Sequence, residues 1–332
     1  MSAEVTVTVK ELHDRITTVL ARAGGNPEAV RVMADYVVDA EVSGHRTHGL
    51  QRLDGFCANL AAHPAARPGV SEPGPGFLHV QADGAPGIVA AQACVDAVLS
   101  GERKRPVLVA ATGYVGSNGA LGYFTRQLAQ AGWVALMVTN CESGVAPAGG
   151  IEPILGTNPL SWSFPFGERP VTIDMATSAV SYGQLAMLAL AGKPAPPGTV
   201  IDRTGAASSD PRDAERGAQL PMAGHKGFGL GLLIELVAGP MIGAKSGRAR
   251  LDAGDGLVLY AHPVDGYRNR DLIDAETADL LDDLVTSRPL DPARPVRIPG
   301  HSAENRSTAA SSGTVVTIAA SAWRDLIART QP

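Results

Sequence analysis

A histidine, a hydroxyl residue and an arginine lie close together near the end of the first fifty residues. Thr47 directly precedes His48, Gly49 follows it, and Arg52 comes four positions after the histidine. An imidazole beside a hydroxyl donor can pass a proton to a developing anion, and a guanidinium one helical turn away can hold a carboxylate. These residue types at this spacing favour catalysis on a small acid.

Two other interpretations of the same segment stay open at this point. His45 and His48 have a spacing found in metal sites, but no nearby cysteine or carboxylate completes a familiar ligand set, so we predict no metal. Arg46, His48 and Gly49 also have the composition of an ordinary helix end, where cations and then glycine are common. From these residues alone, structure and function are equally supported.

Two helices are predicted ahead of this segment. Thr8 and Glu11 have the spacing of a capping box at the start of the first helix, which ends at Gly24. Asn26 is a good N-cap for a second helix, whose apolar stripe leads to Ser43. The candidate catalytic histidine therefore follows the end of a well-defined helix.

The composition is that of an ordinary soluble protein. The chain has 332 residues, 45% of them hydrophobic and 18% charged, which allows a large core and favours two domains. The net charge of −5 and the scattered arginines argue against nucleic acid as a partner. The start of the chain shows no export signal, and the three cysteines, Cys57, Cys94 and Cys141, form no disulfide framework, so we expect a cytoplasmic protein.

One apolar stretch, residues 227–244, resembles a membrane span in its composition. Glu235 lies at its centre and Pro240 interrupts it. We therefore predict a buried helix in a soluble core and no membrane partner.

The rest of the chain alternates between strand and helix patterns after a Pro- and Gly-rich stretch at 64–76, which we interpret as a linker. Predicted strands cover 77–82, 106–111, 134–139, 159–164 and 170–174. Predicted helices cover 88–99, 121–131, 184–191, the start of the tail near 271 and its end at 321–328. Residues 202–219 have the composition of a loop. This alternation predicts an α/β or α+β core.

No glycine fingerprint of the usual dinucleotide-binding type follows a predicted strand. Two other glycine-rich places could bind a nucleotide. Gly224, His225 and Lys226 begin the long apolar helix, where backbone N–H groups and a lysine attract phosphate, and close packing of a core helix is the less favoured explanation of the glycines. Residues 113–122 form a flexible loop that enters a helix and are a weak signal alone.

Several separated motifs together resemble the type-2 malate/L-lactate dehydrogenase family. They occur in the order and spacing of that family over residues 10–245, and more weakly through Gly300. They are His48-Gly49 with Arg52, Gly119-Ala-Leu-Gly-Tyr123, Val145-Ala-Pro147 with Gly149-Gly150, Leu155-Gly-Thr-Asn-Pro159, Asp174-Met-Ala-Thr-Ser178, Asp210-Pro211 and His225-Lys-Gly-Phe-Gly229. The family includes malate, lactate, sulfolactate and ureidoglycolate dehydrogenases and reductases of cyclic imines such as piperideine-2-carboxylate.

The resemblance implies a fold, a cofactor and an assembly. It implies a homodimeric oxidoreductase that uses NADP(H) or NAD(H), with a non-Rossmann nucleotide-binding domain built on a large mixed sheet. That domain is expected at residues 73–255. A helical domain made from both chain ends is expected at residues 1–72 and 256–332.

The resemblance also implies roles for individual residues. His48 matches the proton donor, Thr47 its hydroxyl partner, and Arg52 the residue that holds the substrate carboxylate. The expected substrate contacts are Arg52, Thr157, Ser117 and Gln184. The expected cofactor contacts are Ser117, Asn118, Gly119, Ala120, Leu121, Asp174, Met175, Ala176, His225, Lys226, His301, Asn305 and Arg306.

Departures from the family pattern bear on the substrate. Ser117 stands where many members have a histidine, and serine cannot exchange a proton near neutral pH. Gln184 stands where imine-reducing members have an acid, so it can orient a group but holds no charge. Glutamate is more common in the family where His301 stands, while Thr47 replaces a serine and retains the hydroxyl.

These departures favour reduction of a C=N bond next to a carboxylate. The alkoxide formed from a ketone needs a nearby acid, whereas a protonated imine accepts hydride and becomes a neutral amine. We therefore expect an NAD(P)H-dependent reductase of a cyclic imine or ketimine acid. The alternatives are a 2-hydroxy acid dehydrogenase of the malate or lactate type and a catalytically silent relative that binds nucleotide.

Overall fold

The chain begins with a strand and two helices. A computed structural model describes residues 4–101, 105–249, 254–301 and 315–331. Strand β1 (Glu4–Thr8), which the sequence interpretation missed, is followed by helix α1 (Val9–Arg22) and helix α2 (Pro27–Val42). Both predicted helix starts are confirmed. Thr8 Oγ1 accepts a hydrogen bond from Glu11 N at 3.1 Å, and Asn26 Oδ1 accepts one from Ala29 N at 3.0 Å.

The two ends of the chain pair with each other. Strand β12 (Val315–Ala319) is antiparallel to β1, with Val5 opposite Ile318 and Val7 opposite Val316. The last helix, α10 (Ala320–Thr330), contacts α1, and the Arg15 guanidinium lies 5.2 Å from the ring centre of Trp323. Because Val7, Val316 and Ile318 belong to the main hydrophobic core, this terminal pair is an integral part of the fold.

A mixed sheet of seven strands occupies the middle of the molecule. Its strands, in spatial order, are β2 (Gly69–Gly74), β3 (Phe77–Gln81), β4 (Val107–Thr112), β11 (Leu257–Pro263), β5 (Trp133–Thr139), β6 (Leu160–Phe164) and β7 (Val171–Met175). Only β3 and β4 pair in parallel within this sheet, and helix α4 (Gly87–Leu99) connects them. Helix α5 (Gly122–Gln130) precedes β5.

Alternating side chains cover the two faces of the sheet. In β11, Leu257 and Leu259 join the core shared with α1, α2, α4 and α5, whereas Val258 joins a cluster with Ile234 and Ala238 of helix α8 (His225–Ala238). This is the two-residue period expected of a strand buried on both faces. The expected mixed α/β architecture with a large sheet is confirmed.

Two parts of the sequence interpretation are wrong in this sheet. The predicted linker contains β2, because an edge strand tolerates the glycines and proline that a central strand would exclude. Strand β11 was not predicted, although it is the central strand and pairs with both β4 and β5.

A smaller sheet and several short elements follow β7. They are helix α6 (Tyr182–Leu190), strands β8 (Val200–Ile201), β9 (Ala207–Ser208) and β10 (Ala218–Gln219), and helix α7 (Asp213–Arg216). The three strands form one antiparallel sheet in the order β10, β8, β9. The predicted loop at 202–219 therefore contains short regular elements.

Helix α8 differs from the predicted buried helix. Gly227, Gly231, Ile234 and Glu235 are buried, but Leu233 and Leu236 are 56% and 52% exposed. Glu235 is held on the inner face, where its carboxylate accepts hydrogen bonds from Asn158 Nδ2 at 2.8 Å and Gly247 N at 2.7 Å. One face of this helix thus packs on the sheet and the other is open.

The segment after the sheet contains helix α9 (Arg270–Thr286), whose residues are all at least partly exposed. Within the described residues, no helix combines the length and the apolar character needed to span a membrane. The predicted division at residues 72 and 256 stays a prediction, with β1, β12 and β11 sharing the main core.

We expect Ile318→Ala to lower the free energy of unfolding by about 2–5 kcal/mol, because a fully buried side chain leaves a cavity. Val315→Ala is the matched control on the same strand, since Val315 is 46% exposed and should change stability little. Urea unfolding followed by circular dichroism measures both. Equal losses for the two variants would contradict the described burial of β12.

Candidate active site

The loop after α2 carries the candidate catalytic residues on two short turns. Arg46–His48 and Leu50–Arg52 are consecutive 3-10 turns separated by Gly49, and helix α3 (Leu53–Ala62) follows. His48 N donates to His45 O at 2.8 Å, and Arg52 N donates to Gly49 O at 2.9 Å. The expected single helical turn between histidine and arginine is thus replaced by two tighter turns.

A buried carboxylate from α2 holds these two turns together. Glu41 Oε1 accepts a hydrogen bond from Leu50 N at 2.8 Å. A side chain at Gly49 would overlap the same carboxylate, so only glycine allows this close approach. Burial raises the pKa of Glu41, and the Leu50 N–H opposes that rise. Glu41 therefore fixes the backbone between His48 and Arg52.

His48 and Arg52 line a cavity of about 490 Å³ between the first helices, the sheet and the start of α6. The cavity brings together most of the predicted site. Its predicted lining residues are His48, Arg52, Ser117, Asn118, Gly119, Ala120, Thr157, Asp174, Met175 and Ala176. The chain therefore joins segments more than a hundred residues apart around one space large enough for a small ligand and part of a cofactor.

Thr47 lies against His48 as the sequence suggests. Its Oγ1 is 3.0 Å from His48 Nδ1, which is hydrogen-bonding distance and directs Nε2 away from the threonine. Gly183 packs against Thr47 from the start of α6, where an added Cβ would come within 3.0 Å of Thr47 Cβ. Arg52 Nε donates to the backbone carbonyl of Thr47 at 3.2 Å, so hydrogen bonds connect the three residues.

The cavity disfavours positive charge on His48. Burial, and then the nearby His45 and Arg52, lower the pKa of His48 to about 4. At pH 7 only about one molecule in a thousand would carry the imidazolium form. In the free protein, His48 is therefore a neutral hydrogen-bonding group that rarely carries a proton to donate.

The glycine-rich loop is anchored by its side chains and presents its backbone to the cavity. Asn118 is buried, and its Nδ2 donates to Gly87 O at 3.0 Å while its Oδ1 accepts from Thr139 Oγ1 at 3.1 Å. Ser117 Oγ accepts from Gly119 N at 3.0 Å. Gly119 has a φ of +76°, and a side chain there would overlap Tyr36 Oη. The Asn118 side chain thus positions the loop.

Asp174 closes the opposite side of the cavity at the end of β7. Its Oδ2 accepts from Gly122 N, the first residue of α5, at 2.8 Å. Burial raises the pKa of Asp174 to about 6, although the Gly122 N–H and Arg126 oppose the rise. The carboxylate is therefore mostly ionised at neutral pH and sensitive to small changes around it.

A second cavity of about 450 Å³ adjoins the first. Both cavities are lined by His45, Ala120, Asp174 and Met175, and the second continues past the ion pair between Arg126 and Asp39 to Gly300. Together the two cavities form a bent cleft along the end of the sheet.

Besides Thr47, which contacts His48, five described residues of the predicted site lie outside the lining of the first cavity. Gln184 is exposed and its backbone N donates to Ser181 Oγ, so Ser181, Tyr182 and Gly183 face the cavity in its place. The Leu121 side chain is fully buried in the core. His225 and Lys226 are exposed at the start of α8, and His301 follows Gly300, which lines the second cavity. Asn305 and Arg306 fall outside the described residues.

Several cavity residues escaped the sequence interpretation. They are His45, Cys141, Glu142, Tyr182 and Asp255. Glu142 follows strand β5, and polar residues just beyond a predicted strand end were an available signal. Asp255 precedes β11, so it could not be found without that strand.

A sequence profile of the malate/L-lactate dehydrogenase family matches residues 7–327 of this chain. The chain belongs to the malate/L-lactate dehydrogenase family. The predicted resemblance is confirmed, and the protein is an oxidoreductase.

Curated members of this family include proteins of two kinds. A Δ1-pyrroline-2-carboxylate/Δ1-piperideine-2-carboxylate reductase of Pseudomonas aeruginosa is 35% identical over 72% of this chain and 73% of its own length. A malate/(S)-sulfolactate dehydrogenase of Methanothermus fervidus is 30% identical over 73% of this chain and 72% of its own length. Among solved structures, a Δ1-piperideine-2-carboxylate reductase of Pseudomonas syringae superposes with a TM-score of 0.87 and 25% identity, covering 98% of this chain and 100% of that one.

Membership of this dehydrogenase family implies a nicotinamide cofactor. The residues around the cleft fit such a group. The two adjoining cavities each fall within the size range of ligand pockets, and a glycine loop offers backbone close to a carboxylate, Asp174, that can accept hydroxyl hydrogen bonds.

We expect Glu41→Ala to lower the free energy of unfolding by about 1–3 kcal/mol, because the partly buried Leu50 N–H loses its acceptor. Glu41→Gln keeps an acceptor oxygen and should retain most of the stability and the turnover. Glu28→Ala, which removes an exposed carboxylate from the same helix, is the control. Urea unfolding and the rate of cofactor oxidation are measured for each variant. Similar losses for the alanine and glutamine variants would show that a Glu41 acceptor oxygen does not hold the Leu50 N–H.

Proposed function

We propose that this protein reduces a C=N bond next to a carboxylate with hydride from NADPH or NADH, acting on a cyclic imine or ketimine acid. One observation carries this proposal. The cavity places a guanidinium, Arg52, beside an imidazole, His48, whose pKa is lowered to about 4 by burial and by neighbouring cations. This pair can hold a carboxylate and accept a hydrogen bond from a protonated imine at neutral pH.

Arg52 is assigned to the substrate carboxylate. Arg52 Nε donates to Thr47 O, and this hydrogen bond orients the side chain. The two terminal nitrogens of the guanidinium are left to bind both carboxylate oxygens. Thr157, which carries a hydroxyl, lines the same cavity. This arrangement supports a substrate whose reacting carbon lies next to its carboxylate.

The proton balance explains the preference for an imine. A protonated imine carries its own proton, so its N–H donates to neutral His48, and addition of hydride to carbon leaves a neutral amine. A 2-oxo acid would instead become an alkoxide and need a proton from the imidazolium form of His48, which is rare in the free site. The expected role of His48 as proton donor then requires a bound carboxylate that offsets the charge of Arg52 and raises the pKa of His48.

The cofactor is assigned to the bent cleft. The reduced nicotinamide supplies the hydride. Asp174, Met175 and Ala176 and the backbone at 117–120 line the part of the cleft next to His48, while Gly300 and its neighbour His301 lie toward the other end. Lys226 and His225 are exposed at the start of α8 and suit the phosphate groups of either cofactor. The largely antiparallel sheet supports a nucleotide-binding domain of the non-Rossmann type.

The protein is further proposed to be a homodimer in the cytoplasm. The half-exposed leucines of α8 support a partner surface, because exposed apolar patches of this kind mark interfaces.

Substrate preference tests this function. Purified protein is given NADPH or NADH with piperideine-2-carboxylate, pyrroline-2-carboxylate, pyruvate or oxaloacetate, and kcat/KM is obtained from the loss of nicotinamide absorbance. We expect the imines to be reduced faster. His48→Ala should lower kcat/KM about 10-fold with an imine, which loses one charged hydrogen bond, and at least ~100-fold with a keto acid, which loses its proton source.

His63→Ala is the control, since His63 is exposed and does not line the cavity. Faster turnover with the keto acids would reverse the proposed preference and favour a 2-oxo acid reductase. An unchanged rate in His48→Ala with every substrate would remove His48 from the mechanism.

A further inference from the structure

A carboxylate that the sequence motifs do not include enters the substrate cavity just after β5. Glu142 lines the same cavity as His48, Arg52 and Tyr182. The backbone on both sides of it is fixed: Cys141 N donates to Asn158 Oδ1 at 3.1 Å, and the next residue, Ser143, donates from Oγ to Ile154 O at 3.0 Å. Glu142 is therefore held at the cavity by a rigid segment.

The other carboxylates around the cavity already have partners. Asp255 is 2.8 Å from Lys245 Nζ, Asp174 accepts from Gly122 N, and Glu215 accepts from Tyr182 Oη at 2.5 Å. Among the described residues, no lysine, arginine or histidine nitrogen lies within 4.0 Å of the Glu142 carboxylate. Its negative charge thus remains available to a bound ligand.

The field of Glu142 reaches both sides of the cavity. The pKa of Tyr182 is raised to about 12, first by its hydrogen bond to Glu215, then by burial, and then by the negative charges of Glu215 and Glu142. Arg52 opposes the rise. Burial first, and then Glu142, raise the pKa of Asp255 against the effect of Lys245. Glu142 and Arg52 therefore act with opposite sign on the same small volume.

We propose that Glu142 is a specificity-determining residue that selects substrates carrying a cationic group as well as a carboxylate and rejects substrates with a second negative charge. This deepens the proposed function and rests on it, because a protonated cyclic imine has one carboxylate for Arg52 and one iminium group, whose N–H donates to His48 while its positive charge lies in the field of Glu142. A dianionic 2-oxo acid would place its second carboxylate in the field of Glu142. Unlike charges attract and like charges repel strongly enough in a partly enclosed site to change selectivity.

The test compares substrates that differ in charge on the same enzyme. Piperideine-2-carboxylate is the zwitterion, pyruvate the monoanion and oxaloacetate the dianion, and kcat/KM is measured for each with the native protein, Glu142→Gln and Glu142→Lys. Ratios between substrates are used because a partly misfolded variant loses activity toward all three equally. Glu152→Gln is the matched control, since it removes one exposed carboxylate paired with Arg248 outside the cavity.

In Glu142→Gln we expect the imine-to-pyruvate ratio to fall about 5-fold and the oxaloacetate-to-pyruvate ratio to rise about 5-fold, as for one partly solvated charge pair. Glu142→Lys should enlarge both changes, and Glu152→Gln should change neither. Where a keto acid is not turned over, the inhibition constants of malonate and lactate are compared instead. In Glu142→Gln, inhibition by malonate relative to lactate should strengthen by the same factor.

Unchanged ratios in both Glu142 variants would overturn the proposal and show a carboxylate that is simply solvated. A native protein that reduces pyruvate and oxaloacetate but no imine would instead contradict the proposed function. In that case the oxaloacetate-to-pyruvate ratio alone still decides whether Glu142 rejects dianions.

Discussion

The Arg52 guanidinium and the His48 imidazole share one partly enclosed cavity, and the guanidinium makes a positive charge on the imidazole more costly. Burial and the neighbouring cations lower the pKa of His48 from 6.5 to about 4, which corresponds to about 3 kcal/mol against the charged form. The surrounding structure maintains this arrangement. Glu41 at the end of α2 fixes the backbone between the two residues, Gly49 permits that contact, and Thr47 is hydrogen-bonded to the imidazole.

This constraint decides which chemistry is easy. A neutral imidazole can accept a hydrogen bond from a substrate that brings its own proton, whereas a proton donor must first be created by binding an anion. Ser117, which stands where many family members have a histidine, offers no second group for that task. A cavity in which neutral His48 lies beside Arg52 therefore suits a protonated imine better than a ketone. A purely silent relative would have no need to keep His48, Arg52 and Thr157 around one space.

The sequence could predict those helices and strands whose apolar periodicity lies within a single element. Helix α4 and strand β4 were found because their apolar residues repeat with the period of one element, and both caps of the first helices were confirmed. Strand β11 was missed because its position depends on pairing with strands more than a hundred residues away. The pairing of β1 with β12 joins the two ends of the chain and leaves no local signal.

The candidate site shows the same division. Motifs identified Arg52, Thr157 and Asp174, which all line the cavity. Glu142 and Asp255 belong to no motif, and only the folded sheet brings them there. Gln184 was predicted at the substrate, but the first turn of α6 directs Tyr182 and Gly183 to the cavity instead.

A titration of ¹⁵N-labelled histidine followed by NMR measures the charge state of His48, on which the proposed chemistry depends. His48→Ala assigns the signal. In the free protein we expect a midpoint near pH 4, rising when a carboxylic acid that binds Arg52 is added. A midpoint at or above 6.5 in the free protein would show instead that His48 can protonate a ketone without help from the substrate.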